Sequence, residues 1–281
     1  FFFKQKTAYE IPKRDWSSDV CSSDLVEFEK PLAMLKKQAT ASAFMLDRFD
    51  AVSAMKNQPV DAKRDFMVQL YANEKSIYIK NEIINQLIND SNAASIALIR
   101  KAIAAGDIRI QKNIVEVTKT IPDVLLPDYE SLLNGNSYDM IVTLMDKLSA
   151  QHPEKTADYL ARTKDIEGCT GINVRIKWLE LSASADKKYF DDLVKYTGQS
   201  YEFRTRVNAM YALKRQNYFN KNLLENITQA LQSANGRLAG PAGECLQYYY
   251  AQSGNKKVVD DFMKTFQADE ATRSKINSYL K

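Results

Sequence analysis

The chain of 281 residues has one histidine, His152, three cysteines and nine glycines. One histidine excludes an H-E-x-x-H metal face and any site built from two imidazoles. A Ser-His-Asp triad would have to use His152, which stands before Pro153 with no G-x-S-x-G elbow in the chain. His152 therefore reads as a residue at a helix end, favourable to the dipole there. Neither G-x-x-x-x-G-K-[ST] nor G-x-G-x-x-G occurs, so no phosphate-cradling loop is encoded. No apolar run approaches the ~18 residues of a membrane span. No Lys/Arg block marks a nucleic-acid patch, and the net charge of +4 is dispersed. Nucleic-acid partners are not expected. The cysteines Cys169 and Cys245 lie far apart without a C-x-x-C or a histidine nearby, so they read as small apolar residues rather than as a disulfide or metal ligands. No catalytic or metal-ligating residue and no bound cofactor follow from this pattern.

The third cysteine, Cys21, belongs to a stretch without helical or strand period, KQKTAYEIPKRDWSSDVCSSDL. Read back into codons, residues 4–10 spell AAG-CAG-AAG-ACG-GCA-TAC-GAG and residues 15–24 spell the other half of the same short-read sequencing adapter. Residues 1–25 thus resemble translated adapter, are expected to be disordered, and are set aside from fold reasoning. They carry Lys4, Lys6, Lys13 and Arg14 against Glu10, Asp15, Asp19 and Asp24, so the net charge is unchanged without them. The natural segment is read as 26–281.

What remains is helix after helix. Tyr138, Ile141, Val142, Met145 and Leu148 follow the i, i+3, i+4, i+7 rule of an amphipathic helix, as do Ile110, Ile114, Val117 and Ile121. Val259, Phe262, Met263 and Phe266 repeat it near the C-terminus. Only Val26-Glu27-Phe28-Glu29 alternates like a strand, and Pro31 ends it and opens a helix. Breaks near Pro59, Asp90, Pro122, Pro153, Asp186, Asn220 and Gly254 divide the chain. Gly106, Gly135, Gly168, Gly198 and Gly236 mark turns inside the divisions.

Each division reads as two helices. Aligning the second helices on Phe49, Ile83, Ile114, Val142, Ile176, Val207, Cys245 and Ile276 gives spacings of 28 to 38 residues. The fold class expected is all-α: an irregular HEAT/armadillo-like helical-repeat solenoid of about eight helix pairs over 31–281. One pair cannot cover its own apolar face, so stacking buries the core and leaves a curved surface. Basic residues recur near the starts of the second helices: Arg48, Lys80, Arg109, Arg175, Arg204, Arg206, Arg237 and Arg273. They read as local ion pairs and solvated ends, or as cations on a concave face. Arg175, Arg204 and Arg206 are the candidates for concave-face contacts. Tyr248-Tyr249-Tyr250 reads as packing with hydroxyls at the rim. Gly240-Pro241-Ala242-Gly243 reads as a close helix approach, and the sequon at Asn226 falls in a helix.

The stretch VEFEKPLAMLKKQATASAFMLDRFDAVSAM has a strand like V-x-F-[DE]-K, a helix with L-x-x-Q and a helix with D-R-x-x-A, matched by Asp47, Arg48 and Ala51. In this it resembles the junction after the catalytic part of aminopeptidase N-like zinc metallopeptidases, the gluzincins. The motif covers about 30 residues, and the helical-pair architecture covers the rest. The resemblance implies that 26–30 end a preceding β-sandwich and that 31–281 form the C-terminal accessory domain of a zinc-dependent aminopeptidase. That domain would pack on its own upstream catalytic domain and narrow access of peptide substrate to the cleft. Zinc, its H-E-x-x-H and downstream Glu, and the tyrosine that stabilises the oxyanion would all lie before Val26. A homologue that has lost the zinc motif would carry the same domain. The alternative is a non-enzymatic helical-repeat scaffold that binds protein. Compartment is not legible in this segment.

Overall fold

The structure, a computed structural model, describes residues 30–280. The strand expected at 26–29, the end of a preceding domain at 26–30 (but for Lys30) and residues 1–25 lie outside the described residues. Within them the chain is all-helical, with sixteen α-helices, four short 3-10 turns and no strand. In order the helices are α1 (Leu32–Ala41), α2 (Met45–Ala54), α3 (Val60–Asn73), α4 (Ile77–Leu87), α5 (Ala93–Ala104), α6 (Ile108–Val117), α7 (Leu126–Ser131) and α8 (Tyr138–Gln151). They continue as α9 (Thr156–Thr163), α10 (Gly168–Ala185), α11 (Tyr189–Lys195), α12 (Phe203–Arg215), α13 (Lys221–Leu231), α14 (Gly236–Tyr250), α15 (Ser253–Thr265) and α16 (Glu270–Tyr279). These are eight consecutive pairs.

The boundaries follow from local chemistry. Asn92, Asp107, Asn220, Asn235 and Asp269 stand at N-caps, where each side chain accepts from a first-turn N–H. Pro31 and Pro59 stand immediately before α1 and α3, where a missing N–H costs nothing. After α12, Asn217 takes φ +51°, and the Tyr218 N–H bonds back to the Leu213 carbonyl, which closes the helix. Around Pro122 and Pro127 the first helix of the fourth pair is cut to the six residues of α7, flanked by 3-10 turns.

All eight positions used to align the second helices fall in α2, α4, α6, α8, α10, α12, α14 and α16, in that order. These even-numbered helices stack on one another along the whole described chain. Among the first helices, α1, α3, α5 and α7 also stack, and the later ones pack mainly on their partners. The stripe of α8 shows how a helix holds its place. Met140, Ile141, Leu144, Met145 and Leu148 are all buried, each contributing about 1.5–3 kcal/mol. Truncating Leu144, with no exposed surface, would cost about 2–5 kcal/mol.

One helix joins two cores. The first core runs from Leu35 to Val174 and the second from Ile176 to Ile276. Both meet on α10, the longest helix at 18 residues, and Trp178 packs against each. The helix expected through Ile110, Ile114, Val117 and Ile121 is shorter than its apolar pattern. It ends at Val117, where Thr118 takes an extended backbone and Pro122 lies ahead of it, disfavouring helical backbone at Ile121. Ile121 is buried from the loop instead, where Gln151 bonds both its N–H and its carbonyl.

Candidate cationic cleft

The D-R-x-x-A motif is used for packing. Ala51 is buried at the seam of α2. Arg48 donates through Nε and NH2 to the two carboxylate oxygens of Glu74, at 3.2 and 3.3 Å, and through NH1 to the Ser42 and Ala43 carbonyls. Glu74 also accepts from the Lys75 and Ser76 N–H groups. Burial pushes the Glu74 carboxyl up, and the Arg48 guanidinium and those two N–H donors outweigh it and hold it below its ordinary range. Asp47 accepts from the Ser42 hydroxyl at 2.9 Å. The motif thus fixes the turn of the first pair against the turn of the second.

Most of the recurring basic residues serve the same end. Arg109 pairs with Asp107, Lys80 lies over the Tyr71 ring, and Arg273 caps the Phe266 carbonyl. Lysines not singled out by the sequence go further. Lys63, almost wholly buried, donates to the Met55 and Lys56 carbonyls at the end of α2 and to Gln86. Lys147 donates to the Val115, Glu116 and Thr118 carbonyls at the end of α6. A cation at a helix C-terminus opposes the negative end of its dipole.

Arg206 differs from its expected place on the concave face. It is 5 % exposed, and its Nε donates to the Thr197 carbonyl while NH2 reaches the Asn226 carbonyl and Gln229 Oε1. The physical reason is its position in the stripe Arg206, Ala209, Met210, Leu213, which is the buried face of α12. The guanidinium is spent on carbonyls between α11 and α13, and burial lowers its affinity for protons.

Arg175 and Arg204 meet at one cleft of about 690 Å³ between the beginnings of α10 and α12. Its walls include Ile172, Tyr196, Tyr201, Glu202 and Cys169. The Arg175 guanidinium lies 4.5 Å from the Trp178 ring centre, and that of Arg204 lies 5.5 Å from the Phe203 ring. Such stacking orients a cation without neutralising it. Among the described residues neither arginine has an ion-pair partner. Glu202 is the acid of the wall, and its carboxylate is engaged at the N-cap of α12 by the Arg204 N–H at 2.8 Å. Tyr196 and Tyr201 pack ring to ring at 4.8 Å.

A second polar recess adjoins it on the same row of helices. Glu180, 3 % exposed, accepts from Arg215 at 2.6 and 2.8 Å and from Lys177 at 2.6 Å. Lys177 also pairs with Asp146 of α8 at 2.7 Å. Asparagines bridge neighbouring second helices above it, Asn208 to Asn173 at 2.9 Å and, further along, Asn113 to Asn85 at 3.0 Å. These links tie α8, α10 and α12 together.

The remaining sequence features take structural places. Tyr249 is core, with its ring tilted against Phe219, while Tyr248 and Tyr250 lie under Lys214 and Lys256. Gly243 lies within α14 where the Tyr279 ring of α16 presses onto its Cα, with no room for a methyl group. Asn226 of the sequon donates to Thr197 Oγ1, and Thr228 is buried. Cys245 is buried, which pushes its thiol up to about 12, and Cys169 is exposed and free. His152 ends α8 with Nδ1 3.4 Å from Glu154. Among the described residues no three His, Cys, Asp or Glu side chains gather as a metal site, and no helix is long and apolar enough to cross a membrane. No family model matches the chain, and no curated protein matches it.

Proposed function

We propose that residues 26–281 are the C-terminal accessory domain of a zinc-dependent, aminopeptidase N-like peptidase, and that the domain packs on an upstream catalytic domain and restricts access to its cleft. The observation that carries this reading is the apolar surface of the first helix pair. A terminal repeat normally turns a polar face outward. Here Met34, Phe44, Met45 and Leu46 are 42–73 % exposed, and they make up half of the eight exposed large apolar residues among those described. That surface belongs to the same 30 residues that carry the strand-helix-helix resemblance. A docked domain would cover it. The Arg48–Glu74 anchor would hold the first pair rigid beneath the joint.

In this reading peptide substrate and zinc belong to the upstream domain, and the solenoid supplies shape. The chain alone should show helical circular dichroism and no cleavage of aminoacyl arylamides, with or without added zinc. Zinc-dependent cleavage by residues 26–281 alone overturns the assignment. So does full dispensability of the apolar surface: in the parent protein, Phe44→Glu with Leu46→Glu should loosen the two domains and raise their proteolytic separation.

A further inference from the structure

We propose that the cleft between α10 and α12 is a binding site for an oxyanion carried on an aromatic body, a carboxylate or a phosphate monoester. The inference concerns the chain itself and does not rest on the proposed parent enzyme. Its volume of about 690 Å³ is within the roughly 300–1,000 Å³ range of small-ligand sites. Two guanidinium groups line it, neither is ion-paired among the described residues, and they outnumber the one acid of the wall, Glu202. The other arginines discussed are engaged in the fold, Arg48 with Glu74, Arg206 with backbone carbonyls and Arg215 with Glu180. The contrast is local, since Arg204 and Arg206 are two residues apart on one helix.

Preorganisation favours a ligand here. Trp178 holds the half-buried Arg175 by its face, so little of that side chain's freedom is lost when an anion arrives, and the exposed Arg204 beside Phe203 is free to close on the ligand. A guanidinium presents paired N–H donors that match the oxygens of carboxylate or phosphate. The wall's one acid, Glu202, has its carboxylate at the α12 N-cap on the Arg204 N–H, and the two arginines outnumber it. Beside the cations, Ile172, Tyr196 and Tyr201 give an apolar and aromatic wall for the body of the ligand. A ligand with both parts uses the whole cleft.

Cys169 on the cleft wall is exposed, whereas Cys245 is buried, so Cys169 reports on the site. The full chain is alkylated with iodoacetate or iodoacetamide, and the Cys169 peptide is followed by mass spectrometry. The ratio of the anionic to the neutral reagent cancels the thiolate fraction and reads the local potential. In low salt the folded chain should show a ratio about 3–10-fold above that of the urea-unfolded chain. Arg175→Gln and Arg204→Gln should each lower it, and high salt should abolish the excess. N-acetylphenylalanine and phenyl phosphate are then tested for protection of Cys169 against iodoacetamide, with N-acetylphenylalaninamide as neutral control. Protection by the carboxylate alone identifies a carboxylate ligand, and protection by the phosphate alone identifies a phosphate ester. A ratio equal to that of the unfolded chain, no protection by either anion, or equal protection by the amide overturns the proposal. The protection arms use the unmodified chain, so they decide the matter even if a variant fails to fold.

Discussion

Removing the Glu180 carboxylate tests how the two cores are joined. Glu180 sits on α10 with Arg215 and Lys177 on either side, and Lys177 is itself 5 % exposed. In Glu180→Leu, Arg215, about half exposed, turns to water, while Lys177 keeps only the half-exposed Asp146. Breaking a buried pair from one side costs about 3–5 kcal/mol. The retained Asp146 contact and the mobile Arg215 place this case near the lower end, about 3 kcal/mol. For a domain of this size that lowers Tm by roughly 6–12 °C. The double variant Glu180→Leu/Lys177→Met removes both buried charges and should lie within about 1 kcal/mol of the parent, because apolar replacement of a buried pair is often neutral. Urea and thermal unfolding followed by circular dichroism measure both. A single-variant loss under about 1 kcal/mol, or a double variant no better than the single, would refute the reasoning.

Two tyrosines make opposite predictions. The Tyr249 hydroxyl is buried without a partner among the described residues, so Tyr249→Phe should leave stability unchanged or raise it by up to about 1 kcal/mol. The Tyr129 hydroxyl lies 2.6 Å from that of Thr118, so Tyr129→Phe should cost about 1 kcal/mol in the same urea titration. Two glycines of α14 should also separate. Gly236→Ala, at the first position of α14, meets open space and should stabilise by about 0.4–1 kcal/mol, whereas Gly243→Ala strikes the Tyr279 ring and should speed hydrogen exchange in α16. Acid should unfold the chain through its paired carboxyls. Burial raises Glu74, Glu130 and Glu180, but their cationic and hydrogen-bonding partners outweigh it, and Arg64 lowers Asp90 directly. Their folded values lie below the unfolded ones, so this stability is complete above about pH 4–5 and is lost as pH falls through the folded values. A Tm that holds constant from pH 6 down to pH 3 contradicts the assignment.

The pairing of helices was legible because proline, glycine and capping residues punctuate the chain at nearly the intervals that the stack requires. Depth was less legible. Phe49, Val142 and Val207 are only half-buried, while Ile83, Ile114, Ile176, Cys245 and Ile276 are buried, so one aligned position does not keep one register. Val142 and Val207 each stand one position past a buried stripe, that of Ile141, Leu144, Met145 and Leu148 on α8 and that of Arg206, Ala209, Met210 and Leu213 on α12. Arg204 and Arg206 looked equivalent because both are basic residues at the start of one helix. The spacing 206, 209, 210, 213 carries the signal that separates them, since it places Arg206 on the apolar stripe. Arg175 and Arg204 are 29 positions apart, and only the stacking of α10 on α12 brings them to one cleft. Lys63 and Lys147 gave no sequence signal, because the carbonyls they cap belong to the preceding repeat.

The central claim is that the solenoid belongs to a zinc aminopeptidase. The most direct measurement is to sequence the source locus upstream of the Val26 codon with an outward primer. The account predicts an open frame continuous with Val26 that encodes H-E-x-x-H and a downstream Glu, followed by strands of a β-sandwich. Further helix pairs or a start codon in place of that motif would contradict it, and the chain would then be a free-standing binding solenoid.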